Sequence, residues 1–216
     1  MKKFMSKHFN ITFFIVLALG QLVAQTEFGS KLLKQNIKTK IDSLEDLDLI
    51  TKIEVGSLSL KKSEFDVIEL INEIFDLFEI KAQSNGIQLI FDKLYSKPIL
   101  VRGDKEKIRQ VATNLIVNSI KYGQNNGTTE VGIEYLNKDK IAVRITDNGI
   151  GIEKENLPRL FERFYRVDNT GSRDNGGSGL GLAIVKHIIE AHNQKIYIES
   201  EYGVGSEFSF TLEAVK

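Results

Sequence analysis

Cysteine is absent from the 216 residues, which excludes disulfides and thiol catalysis without identifying the compartment. Neither sign of charge is in excess: 29 Lys and Arg balance 29 Asp and Glu. No global field therefore draws the chain to nucleic acid or anionic lipid, and a phosphate ligand has to be held by local groups. Histidine occurs only as His8, His187 and His192. No internal repeat is visible. The apolar run over 11–20 falls short of the roughly 20 residues a spanning helix needs. What is present, 42% hydrophobic and 27% charged residues, suits one domain of ordinary size with a soluble surface and an appendage.

Residues 1–25 stand apart: Lys2, Lys3 and Lys7 precede the apolar run, and small or polar residues follow through Ala24-Gln25. That order is the pattern of an export signal, so this segment reads as a hydrophobic leader, a signal peptide or a short anchor. Residues 31–55 read as a long helix, with Leu33, Ile37, Ile41, Leu44, Leu47 and Ile50 recurring at threes and fours and Gly56 ending it. Its single apolar stripe needs a partner, either another copy of itself or the domain behind it.

Beyond it, Asp66 is placed to cap a second helix, with Glu69 as its capping-box partner and Ile68, Ile71, Phe75 and Phe78 as the buried face. Short strands follow over 87–91 and 99–102, and Asp104 caps a third helix running to about Tyr122. After the turn cluster Gln124-Asn125-Asn126-Gly127, residues 131–135 and 141–145 alternate like an antiparallel pair joined by Asn137-Lys138-Asp139. Two further strands, over 195–200 and 206–212, flank Tyr202-Gly203-Val204-Gly205. This mixture predicts an α+β, two-layer sandwich with helices on one face of a sheet.

Four elements carry chemistry. Asn114, Asn118 and Lys121 lie at i, i+4 and i+7 and share one helix face, while Ile108, Val111, Leu115 and Ile120 occupy others. An amide oxygen suits Mg²⁺, and a lysine can act as a point charge on phosphate; alone, the same face is an ordinary solvated one. Asp147 enters Gly149-Ile150-Gly151-Ile152, where a carboxylate can accept from an exocyclic amine beside tight glycine turns, or simply close an Asp-Asn-Gly turn. Phe161-Glu162-Arg163-Phe164-Tyr165-Arg166 offers aromatics to anchor a loop and arginines to reach phosphates, or else a core-packing helix. Residues 167–178 are rich in Gly, Ser, Asn and Asp, a lid or plain disorder, and lead into Gly179-Leu180-Gly181 at the start of a helix, where free N–H groups favour an anion. His187 reads as structural and His192 as the end of that last helix.

These four elements, in this order, resemble the N box, first glycine box, F box and second glycine box of the ATP-binding domain of bacterial sensor histidine kinases, in the superfamily shared with gyrase, Hsp90 and MutL. The likeness covers 65–212 and is most specific at Asn114-Leu115-Ile116-Val117-Asn118-Ser119-Ile120-Lys121-Tyr122. It implies a Bergerat-type fold over 63–216, with 26–62 as the remnant of a dimerisation helix. It places Asp147 on the adenine amine, Asn118 on Mg²⁺, Lys121 on phosphate and Tyr122 against the base. Asn114, Gly149, Gly151, Ile152, Phe164, Gly177, Ser178, Gly179, Leu180, Gly181 and Leu182 would line the rest of the site. Asn114, Lys121 and Arg166 would be the catalytic residues, with the lid closing over the triphosphate.

Where gyrase, MutL and Hsp90 carry a water-activating glutamate, this chain has Asn114, and a neutral amide cannot take a proton. The resemblance therefore implies delivery of phosphate to a histidine, with a histidine-bearing dimerisation domain and a response regulator as partners and no nucleic acid. The dimerisation helix with its acceptor histidine is not visible; His8 lies near its place by distance but is followed by Phe9-Asn10-Ile11-Thr12-Phe13. Transfer in trans is thus expected, with self-pairing or pairing to an intact kinase through 31–55. Two other readings stay open: a non-catalytic nucleotide-binding and dimerisation module, and an ATPase or serine-directed kinase of the same fold. ATP use implies a cytoplasmic domain with residues 11–24 as a tie to the inner membrane, although the signal-like start would direct the remainder outward.

Overall fold

The computed structural model describes residues 59–167 and 178–215. The leader, the helix expected over 31–55, His8 and Gly177 with most of the expected lid lie outside these residues. The chain runs β1 (Ser63–Asp66), α1 (Val67–Ser84), β2 (Ile87–Phe91), β3 (Leu100–Gly103), α2 (Lys105–Tyr122), β4 (Gly127–Asn137), β5 (Lys140–Asp147), a 3₁₀ turn (Leu157–Arg159), α3 (Gly181–Ala191), β6 (Ile196–Glu201) and β7 (Gly205–Ala214). The seven strands form one sheet in the order β1-β3-β7-β5-β4-β2, with β6 also on β7. Only β2 and β4 pair in parallel, so the sheet is mixed.

Alternation along the strands decides which face is covered. Val131, Ile145 and Phe208 share one row of the central strands, and Ile133, Val143 and Phe210 the next. These rows join the buried stripes of all three helices in one core. The intervening rows are polar, Glu130-Thr146-Glu207 and Gly132-Arg144-Ser209, and Arg144 pairs with Glu134 at 2.6 Å on that side. The expected α+β sandwich, helices on one face of a mixed sheet, is the fold observed.

Several details differ from expectation. β1 was not anticipated: it is four residues long and buries only Phe65 fully, too little pattern to register. The β4–β5 pair extends well beyond 131–135 and 141–145, with Asn137 opposite Lys140 and a two-residue turn between. In α1 the buried stripe is Val67, Ile68, Leu70, Ile71, Ile74 and Ala82, whereas Phe75 and Phe78 are only partly buried. Asp66 does cap α1, its Oδ1 accepting from Ile68 N at 3.0 Å. Glu69 is exposed and makes no return bond among the described residues. The same Asp66 oxygen instead accepts from Ile99 N at 3.0 Å, tying the approach to β3 to the start of α1.

Asp104 caps α2 as expected, Oδ1 accepting from Lys107 N at 3.2 Å. His192 closes α3 and also does something local pattern cannot show. Its Nε2 accepts from Asp104 N at 3.0 Å across 88 residues, so the proton must sit on Nδ1, which donates to Ile188 O at 2.8 Å. The ring is buried, and burial holds its pKa below the ordinary histidine range, aided by Lys62 and opposed by Ile188 O and Asp104. Among the described residues no helix is long and apolar enough to cross a membrane.

The neutral ring is the form the fold selects. Its contribution is therefore present above the unfolded value near pH 6.5 and is lost as pH falls through the lower folded value. His192→Gln should cost about 1–3 kcal/mol in urea denaturation at neutral pH, because the buried Asp104 N–H loses its acceptor. The gap between wild type and variant should narrow as pH is lowered from about 7 to about 5; a gap that stays constant would show that ring protonation is not coupled to stability.

Candidate functional site

The covered face of the sheet ends in a polar row. Thr129 stands opposite Asp147, and Asp147 opposite Ser206, in phase with the apolar rows above them. Thr129 is fully buried, and its hydroxyl meets that of Ser119 on α2 at 2.5 Å. Asp147 Oδ1 accepts from Gly149 N at 2.9 Å. Burial raises the pKa of this carboxyl, while the Gly149 and Ser206 amides oppose the rise. Two backbone donors leave a carboxylate with further acceptor capacity.

α2 brings the amides to this floor. Its apolar stripe, Ile108, Val111, Leu115 and Ile120, is buried, which leaves Asn114, Asn118, Lys121 and Tyr122 half-buried along the other flank. Asn114 Nδ2 donates to Gly181 O at 3.4 Å. The Asn118 amide makes no hydrogen bond among the described residues. Lys121 Nζ lies 4.9 Å from the centroid of the Tyr122 ring. The end of α2 is clipped to the first glycine turn: Tyr122 O accepts from Ile150 N at 3.1 Å, and Gln124 Nε2 donates to Gly149 O at 3.1 Å.

That turn is laid against the β6–β7 connection, where Gly203 N donates to Ile150 O at 2.8 Å. Gly151 has φ +66°, and a Cβ there would fall 1.9 Å from Glu201 O, so no other residue fits. Ile152 N donates to Ser200 Oγ at 2.9 Å, which in turn reaches Gly205 O at 2.8 Å.

The two sides flanking residues 168–177 are joined. Phe164 N donates to Gly179 O at 3.0 Å, with Phe164 at φ 61° and Gly179 at φ +71°. A Cβ on Gly179 would lie 2.8 Å from Phe164 Cα. The segment over 161–166 is not a helix; the only helical piece nearby is the turn Leu157–Arg159. Phe164 is 61% exposed and Arg166 is exposed, and the Phe164 backbone abuts Gly179 at the second glycine turn. Ser178 is exposed, Leu180 is buried, and Ile152 and Leu182 pack on the core. α3 starts without a side-chain cap, which leaves its first N–H groups free of that competitor. The Ser119–Thr129 pair and Ser206 were missed from sequence, although Thr129 is a polar residue in the inward phase of Val131 and Ile133.

A family model described as histidine kinase-, DNA gyrase B-, and HSP90-like ATPase matches residues 103–216, more than half of the 216. The chain belongs to that family. Within it, the likeness is to the ATP-binding catalytic domain of sensor histidine kinases. The autoinducer 2 sensor kinase/phosphatase LuxQ of Vibrio cholerae is 31% identical over 172 residues, which is 78% of this chain and 20% of LuxQ. This chain thus spans about a fifth of that relative. The solved catalytic domain of histidine kinase ThkA is 30% identical, with TM-score 0.60 over 71% of this chain and 97% of that one. The histidine kinase AdeS of Acinetobacter baumannii has TM-score 0.71 at 26% identity, covering 86% of this chain and 84% of its own. The family match begins at Gly103, yet β1, α1 and β2 share the domain's sheet and core.

Gly203 has φ +82°, and a Cβ there would meet nothing within 4 Å, so Gly203→Ala should cost only the left-handed backbone term, about 1–2 kcal/mol. Gly151→Ala and Gly179→Ala, which also meet backbone atoms, should each cost clearly more in urea denaturation. Equal losses at all three positions would contradict the close approaches.

Proposed function

We propose that this domain binds Mg-ATP and transfers the γ-phosphoryl group to a histidine on the dimerisation domain of a kinase, acting in trans. The observation that carries this reading is the half-buried, unpartnered Asn118 amide, on the helix flank above the polar row Thr129-Asp147-Ser206. With no hydrogen bond to the described residues, that amide has its oxygen and both N–H groups available to a ligand.

The residues present fit both ligands. Asp147 has acceptor capacity for an exocyclic amine, with Gly149 and Gly151 allowing backbone to approach a purine and Tyr122 beside it. The Asn118 oxygen suits Mg²⁺, which keeps most of its waters and shares its other positions with phosphate oxygens. Bound there, Mg²⁺ would neutralise charge on the phosphates. Lys121 supplies a positive charge, and the start of α3 at Gly179 and Gly181 supplies backbone donors for an anion, while Leu180 N donates to Ser178 Oγ at 3.3 Å. Asn114 is neutral and already turned toward Gly181 O, so it activates no water; histidine is favoured over water as acceptor for that reason. Arg166, with Gly177 and the rest of the expected lid, would complete the closure over the phosphates.

ThkA has been solved with the response regulator TrrA, which supports a kinase dimerisation domain and a response regulator as this chain's partners. ATP use supports a cytoplasmic location. The whole-protein activity of LuxQ and ThkA comes to this chain only by that likeness.

Radiolabelled ATP incubated with the chain and an isolated dimerisation domain carrying its histidine should place label on that histidine. Steady phosphate release without label would make the domain an ATPase, and binding without either would make it a non-catalytic module. Asp147→Asn should weaken ATP binding by about 1–3 kcal/mol, the scale of a hydrogen bond to a charged group; unchanged affinity by calorimetry counts against the assignment. Asn118→Ala should remove the Mg²⁺ dependence of nucleotide binding, and a variant that keeps it would move the metal to another ligand.

A further inference from the structure

Asp104 makes three bonds to three different parts of the domain. Oδ1 caps α2 through Lys107 N at 3.2 Å. Its own N–H donates to His192 Nε2, at the end of α3, at 3.0 Å. Oδ2 accepts from Lys61 N at 2.9 Å across 43 residues. Lys61 is exposed and belongs to the stretch that leads into β1, within the 26–62 segment expected to be the remnant of a dimerisation helix. The Asp104 side chain is itself buried, so its second oxygen needs a donor, and Lys61 N–H is the one it has.

The second half of α2 and the start of α3 build the nucleotide site. α2 and α3 run antiparallel. Asp104 and His192 meet where α2 begins and α3 ends, and Asn114 Nδ2, midway along α2, reaches Gly181 O at the start of α3. Ten residues of α2 separate these ties, about 15 Å of helix. A shift or tilt of α2 at Asp104 is therefore carried along a rigid rod to Asn114 and Asn118, and the His192 tie makes it a shift against α3 and its glycine-rich start.

We infer that Asp104 is a positioning residue through which the incoming linker sets the spacing of α2 and α3 at the nucleotide site. The linker pulls on Oδ2; the helix pair answers at Asn114, Asn118 and Gly181. Asp104 lies outside the proposed nucleotide site, ten residues along α2 from Asn114. The inference rests on the nucleotide-binding reading given above and adds the route by which the linker acts on it.

The test is a double-mutant cycle on the Lys61–Asp104 bond, read as affinity of the full chain for a fluorescent ATP analogue with Mg²⁺. Lys61→Pro removes the donor, and Lys61→Ala keeps it. Asp104→Ser keeps a capping oxygen and deletes the acceptor for Lys61. Lys61→Ala should bind like wild type. Lys61→Pro and Asp104→Ser should each weaken binding by about three- to ten-fold, the scale of one hydrogen bond, and the double variant should be no weaker than either single one. Unchanged affinity in both single variants, or losses that multiply in the double, overturns the inference. A wild-type chain that binds no analogue overturns the nucleotide reading itself. Should the serine variant fold poorly, Asp104→Asn takes its place, retaining one capping oxygen and presenting an NH₂ where Lys61 N–H needs an acceptor.

Discussion

Two helices held in register by two polar ties are the constraint on which this domain depends. α2 is tied to α3 by a buried histidine accepting a backbone N–H where α2 begins and α3 ends, and by a side-chain amide midway along α2 on the carbonyl that opens α3. Between those ties, Ile108, Val111, Ala112, Ala183, Ile184 and Ile188 are buried. Apolar burial presses the helices onto the sheet but is indifferent to small slides along it. The two polar ties are directional and remove that freedom. The half-buried flank of α2, the polar row at the end of β4, β5 and β7, and the start of α3 are thereby given a fixed relation.

A second constraint follows from charge. The chain carries no net charge, so a triphosphate gains nothing from a long-range field. The domain offers instead local donors: a lysine, an unpartnered amide and uncapped N–H groups at the start of a helix. The acidic group in the same region, Asp147, faces the sheet end and is partly desolvated, an environment suited to reading an amine at short range.

Much of this was legible in the sequence, because α2 combines an isoleucine- and leucine-bearing stripe with a capping aspartate, and the glycine turns follow strands whose alternation is clear. The remainder was decided by contacts distant in sequence. α1 presents apolar residues around most of its circumference, so periodicity could not choose Leu70 and Ile74 over Phe75 and Phe78; the sheet chose, leaving Leu77 73% and Ile80 83% exposed. Phe164 at positive φ has no local signal, since nothing in Phe161-Glu162-Arg163-Phe164 requires a left-handed residue until Gly179 is placed beside it. His192 could be seen as a helix end, but its acceptor lies 88 residues away in sequence. The polar row was readable in principle, since Thr129 and Ser206 fall in the inward phase of their strands, yet one threonine in an apolar phase looks like noise until Asp147 and Ser206 stand in line with it.

A single nucleotide site shared by the α2 flank, the first glycine turn and the start of α3 is tested most directly by amide NMR. The uniformly ¹⁵N-labelled chain is titrated with a nonhydrolysable ATP analogue and Mg²⁺. Shifts should concentrate at Asn114, Asn118, Asp147, Gly149, Gly151, Gly179 and Gly181, with the outer polar face around Glu134 and Arg144 unmoved. Shifts confined to that outer face, or no shifts at millimolar analogue, would contradict such a site.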